Sequence, residues 1–595
     1  MDKKISFVIL ILILFLTVYL RWNDHNVLTG ADPYYHYRKA DEILNHEISD
    51  IDYLRNPPDG IPYNKNFYHY FTAYSYKLVP FLSLEEYMIY LPLIFSLISV
   101  IIAYKIGKIF NVYSGIFAAF FVAATPIIVE RTNKTFADTD SLILLFTLLL
   151  IYLYIKFFVT KKMIYLCFLG FFLFILQSFW SGYWLFVYIF LGSLFFYSIF
   201  EVRKDILNLK YFAIPSLIYI LPATLYKSTT LLFLLRLYRY NLNPVEIQKI
   251  NPSEIQRTFD VSQTVGELIK VTPNMLMPTL GFIFPLGIMG CIVLLYLTYK
   301  EKRYYPLSLM LFLLLILSIM TLQGGYRFLF LLAIPLLLLS SFLLGIIFQN
   351  IWRIKYRFAG IVLILLSFSL CIYEIDMNRE IERIYPDEEF REALFWVNET
   401  LESDAIIVAW WDYGYWIEAL GRRAAYIDNG HRPDSKVMWY AEMLTSEDTK
   451  MLEELELKNV YILLTERELY GFEMISYFLG ERLEYMVRFP KKNDSYDYST
   501  FYDEHLIFEK NGTVKIGKNN NFVPFNGYVY SMEEYKVVYH GEIPSRIFIV
   551  DPRLEKALFT EMYIYNAENI SDIGMIKEFK KIKIFKVNME SEKDE

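Results

Sequence analysis

The sequence predicts a polytopic α-helical membrane domain of eleven to thirteen spans, followed by a mixed α/β domain on the extracytoplasmic side. Three observations carry this. Apolar residues make up 55% of the 595 residues and aromatic residues 18%, both above the soluble average. Apolar blocks long enough to cross a bilayer recur up to about Tyr373, and after Glu374 the chain turns mixed and acidic. Lys and Arg collect in every second connection between the blocks.

A helix needs roughly 20 apolar residues to cross the hydrocarbon layer. The candidate spans are about 5–21, 87–105, 112–129, 141–159, 163–180, 182–200, 209–226, 278–299, 304–322, 327–348 and 356–375. The first follows Lys3 and Lys4 as a signal peptide would. It lacks a small-residue cleavage site and runs directly into Arg21-Trp22, so an uncleaved span is expected. The basic connections carry Lys105 and Lys108; Lys156, Lys161 and Lys162; Arg203, Lys204 and Lys210; Lys300, Lys302 and Arg303; and Arg353 and Lys355. Basic short loops stay in the cytoplasm. The connections at about 22–86, 130–140, 227–277 and 323–326 then lie outside, with the tail from about 376. The short apolar stretch Thr229–Tyr240 carries Arg236 and Arg239. It is read either as interfacial or as half of a pair of spans, which makes the total eleven or thirteen.

The domain division is thus 1–375 in the membrane and 376–595 outside. In the outer domain, Pro386-Asp387-Glu388-Glu389 opens a helix through Leu401, with acids in its first turn. Ala405–Ala409, Asn459–Thr465, Arg546–Val550 and Ile582–Val587 read as short strands, and Lys491–Ser499 as a loop.

Some function classes are disfavoured. A net charge of -7 argues against a nucleic-acid partner. The three cysteines, Cys167, Cys291 and Cys371, all sit in apolar blocks and offer neither a disulfide framework nor metal spacing. A transporter places charges at mid-membrane, whereas here the span interiors are nearly free of them.

Three outer loops instead present carboxylates on one side of the membrane. The first begins Gly30-Ala31-Asp32-Pro33-Tyr34-Tyr35-His36-Tyr37-Arg38. The second runs from Glu130-Arg131 to Asp138-Thr139-Asp140, and the long loop before the eighth span holds Thr264-Val265-Gly266-Glu267. Hard divalent ions such as Mn²⁺ and Mg²⁺ prefer such oxygen ligands and bridge them to phosphate. Taken singly, each motif has a plain alternative: a helix start at Asp32-Pro33, a helix cap at Asp138-Thr139-Asp140, a capping box at Thr264–Glu267. After the strand Ala405–Ala409 comes Trp410-Trp411-Asp412-Tyr413-Gly414. Two indole donors beside one carboxylate acceptor can hold a small hydroxyl group; a buried aromatic plug is the alternative.

Trp410–Gly414 resembles the signature of oligosaccharyltransferase catalytic subunits, and the membrane-side motifs follow that family's order. The resemblance implies a thirteen-span glycosyltransferase C-type membrane domain. It also implies transfer of an oligosaccharide from a lipid phosphate or pyrophosphate carrier to Asn in Asn-x-Ser/Thr. On it, Asp32, Asp138 and Glu267 are metal ligands for Mn²⁺ or Mg²⁺, and Asp32 and Glu267 are the catalytic contacts to the acceptor amide. Asp140, Arg131 and Arg327 face the donor phosphate, and Trp410, Trp411 and Asp412 hold the acceptor hydroxyl. The partners implied are the lipid-linked donor and an acceptor polypeptide, with no obligatory partner subunit, in the cell membrane. Glu466–Ile475 fits neither the Asp/Lys nor the Met/Ile form of the family's second acceptor motif. The competing reading is a polytopic transferase that uses a lipid-phosphate sugar on a non-asparagine acceptor. The chain's own outer sequons include Asn133, Asn398, Asn493, Asn511 and Asn569; Asn511 is the expected site of self-glycosylation and Asn133 is expected to be spared.

Overall fold

The computed structural model describes residues 3–201, 269–301, 305–351, 386–430, 433–453, 455, 457–481, 483, 485–488 and 552–588, and five strands between 500 and 550. The expected spans at 209–226 and 356–375, the stretch Thr229–Tyr240, the motif Thr264–Glu267, Cys371, the loop Lys491–Ser499, and Asn493 and Asn511 lie outside the described residues. The chain divides into two compact units. One comprises residues to Ile48 and most of Asn64–Tyr385; the other joins Ser49–Tyr63 to the chain from Pro386 onward.

The first unit is helical. Among the described residues, six helices are long and apolar enough to cross a membrane: Lys4–Arg21, α4 (Leu84–Lys108), Asp140–Thr160, Ile283–Lys300, Tyr305–Gly324 and Tyr326–Asn350. Shorter apolar helices cover Val112–Ala124, Ile164–Gln177 and Ser181–Tyr197. Two expected spans are broken. The stretch 112–129 forms α5 (Val112–Ala124) and α6 (Pro126–Arg131), separated by an extended Thr125. Pro126 supplies no N–H and pushes the residue before it out of the helical region. The stretch 278–299 breaks at Gly281, whose φ of 60° divides the helix Pro273–Leu280 from Ile283–Lys300. Helix α5 is buried along its whole length after Val112. The helix Leu329–Ile351 lies against it and against Ile283–Lys300. There Gly290 meets Leu339 so closely that a β-carbon would stand 2.3 Å from the Leu339 carbonyl oxygen, a small-residue crossing of the kind that lets membrane helices approach.

The helix ends expected outside are tied to one another. Fully buried Arg21, closing α1 (Lys3–Arg21), donates to the carbonyls of Val122 (3.0 Å) and Ala123 (2.8 Å) and to Thr132 Oγ1 (2.8 Å). It thereby satisfies orphan carbonyls at the C-terminus of α5 and anchors the loop that follows α6. Two shorter helices, α2 (Asp32–Leu44) and α3 (Phe67–Tyr76), follow in the loop after α1.

The second unit holds a five-stranded sheet. Its central strands β3 (Ile406–Val408) and β5 (Val460–Thr465) run parallel and are buried throughout, as an apolar run between covered faces must be. The strand β13 (Ile582–Val587) pairs antiparallel with β5, β12 (Ile573–Glu578) pairs antiparallel with β13, and β4 (Ala424–Ala425) is parallel to β3, giving the order β12-β13-β5-β3-β4. A second, six-stranded antiparallel sheet comprises β6 (Tyr485–Arg488), β7 (Thr500–Asp503), β8 (Leu506–Glu509), β9 (Thr513–Ile516), β10 (Tyr535–Tyr539) and β11 (Ile547–Val550). The helix opened by Pro386-Asp387 spans Glu388–Thr400, capped by Asp387 accepting from the Phe390 amide at 2.9 Å.

Candidate active site

In the first unit the site is built on the ends of helices. Pro33 in the first turn starts α2, and Asp32 stands exposed at its N-terminus, where the helix dipole favours a carboxylate. His36 follows one turn later on the same face. It is buried, with Nε2 3.1 Å from Asp138 Oδ1 and Nδ1 2.8 Å from His69 Nε2. Burial alone would raise the Asp138 carboxyl. The hydrogen bond and charge of His36, the Thr139 amide and the charge of Arg327 outweigh it and hold the group at about 2. Burial, followed by the charges of His36, Lys39 and Arg38, pushes His69 well below the ordinary imidazole range. His69 is therefore neutral. The bond between His36 Nδ1 and His69 Nε2 takes its direction from the tautomer of each ring.

The rest of the loop from Glu130 to Asp140 is equally tied. Arg131 Nη1 lies 3.4 Å from Asp140 Oδ2, and its Nε 3.8 Å from Glu130 Oε1. The Tyr326 hydroxyl donates to Glu130 Oε2 at 3.1 Å, and its amide donates to the Ile269 carbonyl at 2.9 Å. This fastens the turn that carries Arg327 to the loop that carries Asp138. The expected residues Asp32, Asp138, Asp140, Arg131 and Arg327 thus fall on connected elements of one unit; Glu267 lies outside the described residues. Asn133, in a sequon of this loop, already accepts from Asn23 Nδ2 at 2.7 Å.

The donor types suit a hard divalent ion: Asp138 is held as a carboxylate, and Asp32 lies exposed one turn from the His36 that touches it. Among the described residues no group of three His, Cys, Asp or Glu side chains converges as a metal site.

In the second unit, β3 ends at Val408 and the chain turns through Trp410–Gly414. The two indoles differ. Trp411 is buried, whereas Trp410 is half-exposed and its Nε1 donates to Asp412 Oδ2 at 3.2 Å. A carboxylate offers about four acceptor positions, so this bond orients Asp412 without exhausting it. Trp410 is walled by Trp411, Tyr440 and Phe478, with ring centroids at 5.8, 5.9 and 6.0 Å. Behind the turn, the Tyr413 hydroxyl lies 3.0 Å from Thr465 Oγ1 and 3.4 Å from Glu468 Oε2. Glu468 is buried, and burial raises it to about 7 against the hydrogen bonds from Thr465 and Tyr413. It belongs to the helix Glu466–Tyr477, whose capping box pairs it with Thr465.

Over residues 4–375 the chain matches the family described as Oligosaccharyl transferase STT3, N-terminal. It belongs to the STT3 family. A dolichyl-phosphooligosaccharide-protein glycotransferase of Pyrococcus furiosus is 28% identical over 201 residues, 30% of this chain and 21% of that protein. The match thus spans about a fifth of that relative's length. The archaeal oligosaccharyltransferase AglB from Archaeoglobus fulgidus, solved with an inhibitory peptide and a dolichol-phosphate, superposes with a TM-score of 0.71 at 16% identity, covering 97% of this chain and 80% of that one. A structure of the A. fulgidus oligosaccharyltransferase in complex with Zn and sulfate superposes with a TM-score of 0.68 at 16% identity, covering 96% and 78%. The STT3-family chain therefore has the fold of these multi-pass membrane proteins, with a helical membrane domain and a C-terminal globular domain.

Sequence reasoning missed His36, His69 and Glu468 in this STT3-family protein. The spacing of Asp32 and His36 was a usable signal, since positions i and i+4 share a helix face. His69 and Glu468 gave none, because only the folded chain brings them to Asp138 and Tyr413.

Proposed function

We propose that this protein transfers an oligosaccharide from a lipid-phosphate or lipid-diphosphate carrier to the side-chain nitrogen of Asn in Asn-x-Ser/Thr. The observation that carries the reading is the Trp410–Asp412 turn, with a carboxylate oriented by an indole at the mouth of an aromatic wall. Indole N–H only donates and carboxylate only accepts, so the turn suits the hydroxyl two residues after the acceptor Asn. A site built for a hydroxyl rejects analogues without one, since its own polar groups would be left unpaired. That accounts for a Ser/Thr requirement with no contact to the middle residue. The alternative non-asparagine acceptor leaves this turn unexplained.

An amide nitrogen is a poor nucleophile because its lone pair is delocalised into the carbonyl, and no side chain is basic enough to deprotonate it beforehand. Asp32 and Glu267 accept hydrogen bonds from the amide NH₂ and draw the nitrogen out of conjugation. The nitrogen bonds to the anomeric carbon as the carbon–oxygen bond to the carrier phosphate breaks. The proton, acidic once the new bond has formed, passes to the carboxylate that held it. His36 keeps Asp138 anionic, and Arg327, with Arg131 beside Asp140, offers fixed positive charge to the departing phosphate. Asp32, Asp138 and Glu267 would hold a divalent ion, Mn²⁺ or Mg²⁺, whose chemistry there is charge neutralisation at phosphate. The A. fulgidus complex with Zn and sulfate supports a cation and an anion site in this fold. The outer loops and the unit from Pro386 face away from the cytoplasm, at the cell membrane, with no partner subunit required.

The test is incubation of detergent-solubilised protein with an Asn-x-Thr peptide and a lipid-linked glycan. Glycopeptide with the sugar on Asn is expected. Transfer to another residue, or equal transfer to Asn-x-Ala, would overturn the reading.

A further inference from the structure

Residues Ser49–Tyr63 belong to the first outer loop in sequence but to the second unit in space. Their ends pair as β1 (Ile51–Asp52) and β2 (Ile61–Pro62). Between these strands the segment joins the edge of the five-stranded sheet. The Ala425 amide donates to the Leu54 carbonyl at 3.0 Å, and Arg55 bridges Ala425 in parallel. Arg55 is buried and forks onto Asp428, with Nη2–Oδ1 at 2.6 Å and Nε–Oδ2 at 3.0 Å. Its guanidinium also lies over the Tyr415 ring, 5.3 Å from the centroid. Lys436 Nζ adds a second tie by donating to the carbonyls of Pro57 (3.4 Å) and Tyr426 (3.2 Å).

Asp428 is fully buried and stands directly behind the acceptor turn. A β-carbon on Gly414 would meet the Asp428 Cα at 2.4 Å, so the two backbones are in contact. Asp428 Oδ1 also accepts from the Gly430 amide at 2.7 Å. The neighbouring Asn429 reaches into the turn twice: its Nδ2 donates to the Asp412 carbonyl at 3.5 Å, and its Oδ1 accepts from the Tyr415 amide at 3.5 Å. The path from Arg55 to Asp412 thus runs through one buried ion pair and one asparagine. A buried ion pair is a poor source of net stability, because desolvating two charges offsets much of their attraction. A bidentate fork does fix geometry, since guanidinium and carboxylate meet in one plane.

We propose that Arg55 is a positioning residue for the acceptor: through Asp428 and Asn429 it holds the Asp412 turn in the conformation that receives the Ser/Thr hydroxyl. The inference rests on the proposed reading of that turn. The segment Ser49–Tyr63 then sets acceptor affinity and hydroxyl preference without touching the peptide.

The experiment uses the full-length protein in detergent. Dissociation constants for fluorescent Asn-x-Thr and Asn-x-Ala peptides are measured beside thermal stability and transfer kinetics. Arg55→Met is expected to weaken the Thr peptide by about tenfold and the Ala peptide less. KM should rise while kcat at saturating peptide holds. Arg55→Lys, which keeps the charge but loses the fork, should fall between. Asn429→Ala leaves the ion pair intact and should reproduce the loss of preference, which decides the matter if Arg55→Met does not fold. Folded Arg55→Met or Asn429→Ala protein with wild-type peptide affinity and Thr-over-Ala preference would overturn the inference. Wild-type protein that itself shows no such preference would overturn the reading of the turn instead.

Discussion

The Asp138 cluster of the first unit and the Trp410–Gly414 turn of the second are assembled from different interactions. Around Asp138, ionisable side chains from four segments set one another's charge: His36 and Arg327 hold the carboxylate anionic, and Arg38 and Lys39 help to keep His69 neutral. Around Asp412 the carboxylate meets an indole, and its surroundings are aromatic walls and hydrogen bonds to backbone. The first arrangement suits a step in which charge develops; the second suits recognition of a neutral hydroxyl. Substitutions in the two regions should therefore damage different kinetic parameters.

The largest effect is expected at Asp138. Asp138→Asn, like Asp32→Asn, should lower turnover by at least about a hundredfold while leaving peptide affinity near wild type. Exhaustive chelation should have the same signature, reversed by Mn²⁺ or Mg²⁺. Full turnover after chelation, or a loss confined to peptide binding, would erase the distinction between the regions.

Asp412→Ala should show the opposite pattern. Losing a hydrogen bond to a charged group costs about 1.5–3 kcal/mol, roughly 10- to 150-fold in affinity. Peptide Kd should rise and the Thr-over-Ala preference shrink, with turnover of saturated enzyme less affected. A folded variant with unchanged preference would make the turn a structural plug.

His36→Gln sharpens the comparison within the first unit. Partners that orient a metal-binding carboxylate are commonly worth about 10- to 100-fold in metal affinity. Mn²⁺ affinity, followed by electron paramagnetic resonance, should weaken in that range without change in peptide affinity. Wild-type Mn²⁺ binding would show that His36 serves only packing.

The smallest effect on activity is expected at Glu468, whose contribution is to stability behind the Trp410–Gly414 turn. Glu468 titrates near 7 when folded, against about 4.5 as an ordinary carboxyl. The folded state keeps a proton that the unfolded state releases, so stability falls as pH rises from about 4.5 through 7. The full difference is roughly 3 kcal/mol. Glu468→Gln should flatten this dependence between pH 5 and 8 in thermal unfolding. Equal pH shifts in both proteins would place the titration elsewhere.

Sequence and structure divide the credit along physical lines. The hydrophobic runs, the helix opened by Asp387 and the strands β3, β5 and β13 were legible because each is specified by local periodicity and capping. The Trp410–Gly414 turn and the acidic outer motifs were legible as short runs of unusual side chains. The break at Thr125-Pro126 carried a local signal in the proline, yet a window averaging hydropathy passes over it.

What only the tertiary structure decided is which distant residues stand behind those motifs. His69 reaches Asp138 through His36, Glu468 backs Tyr413, and Arg55 grips Asp428 across 373 positions of sequence. No period or spacing encodes such pairings, because they depend on where separate elements pack. The sequence by itself determined the kinds of groups available for the proposed chemistry, since side-chain type carries that information. The fold alone determined their charge and orientation, since burial and neighbours set both.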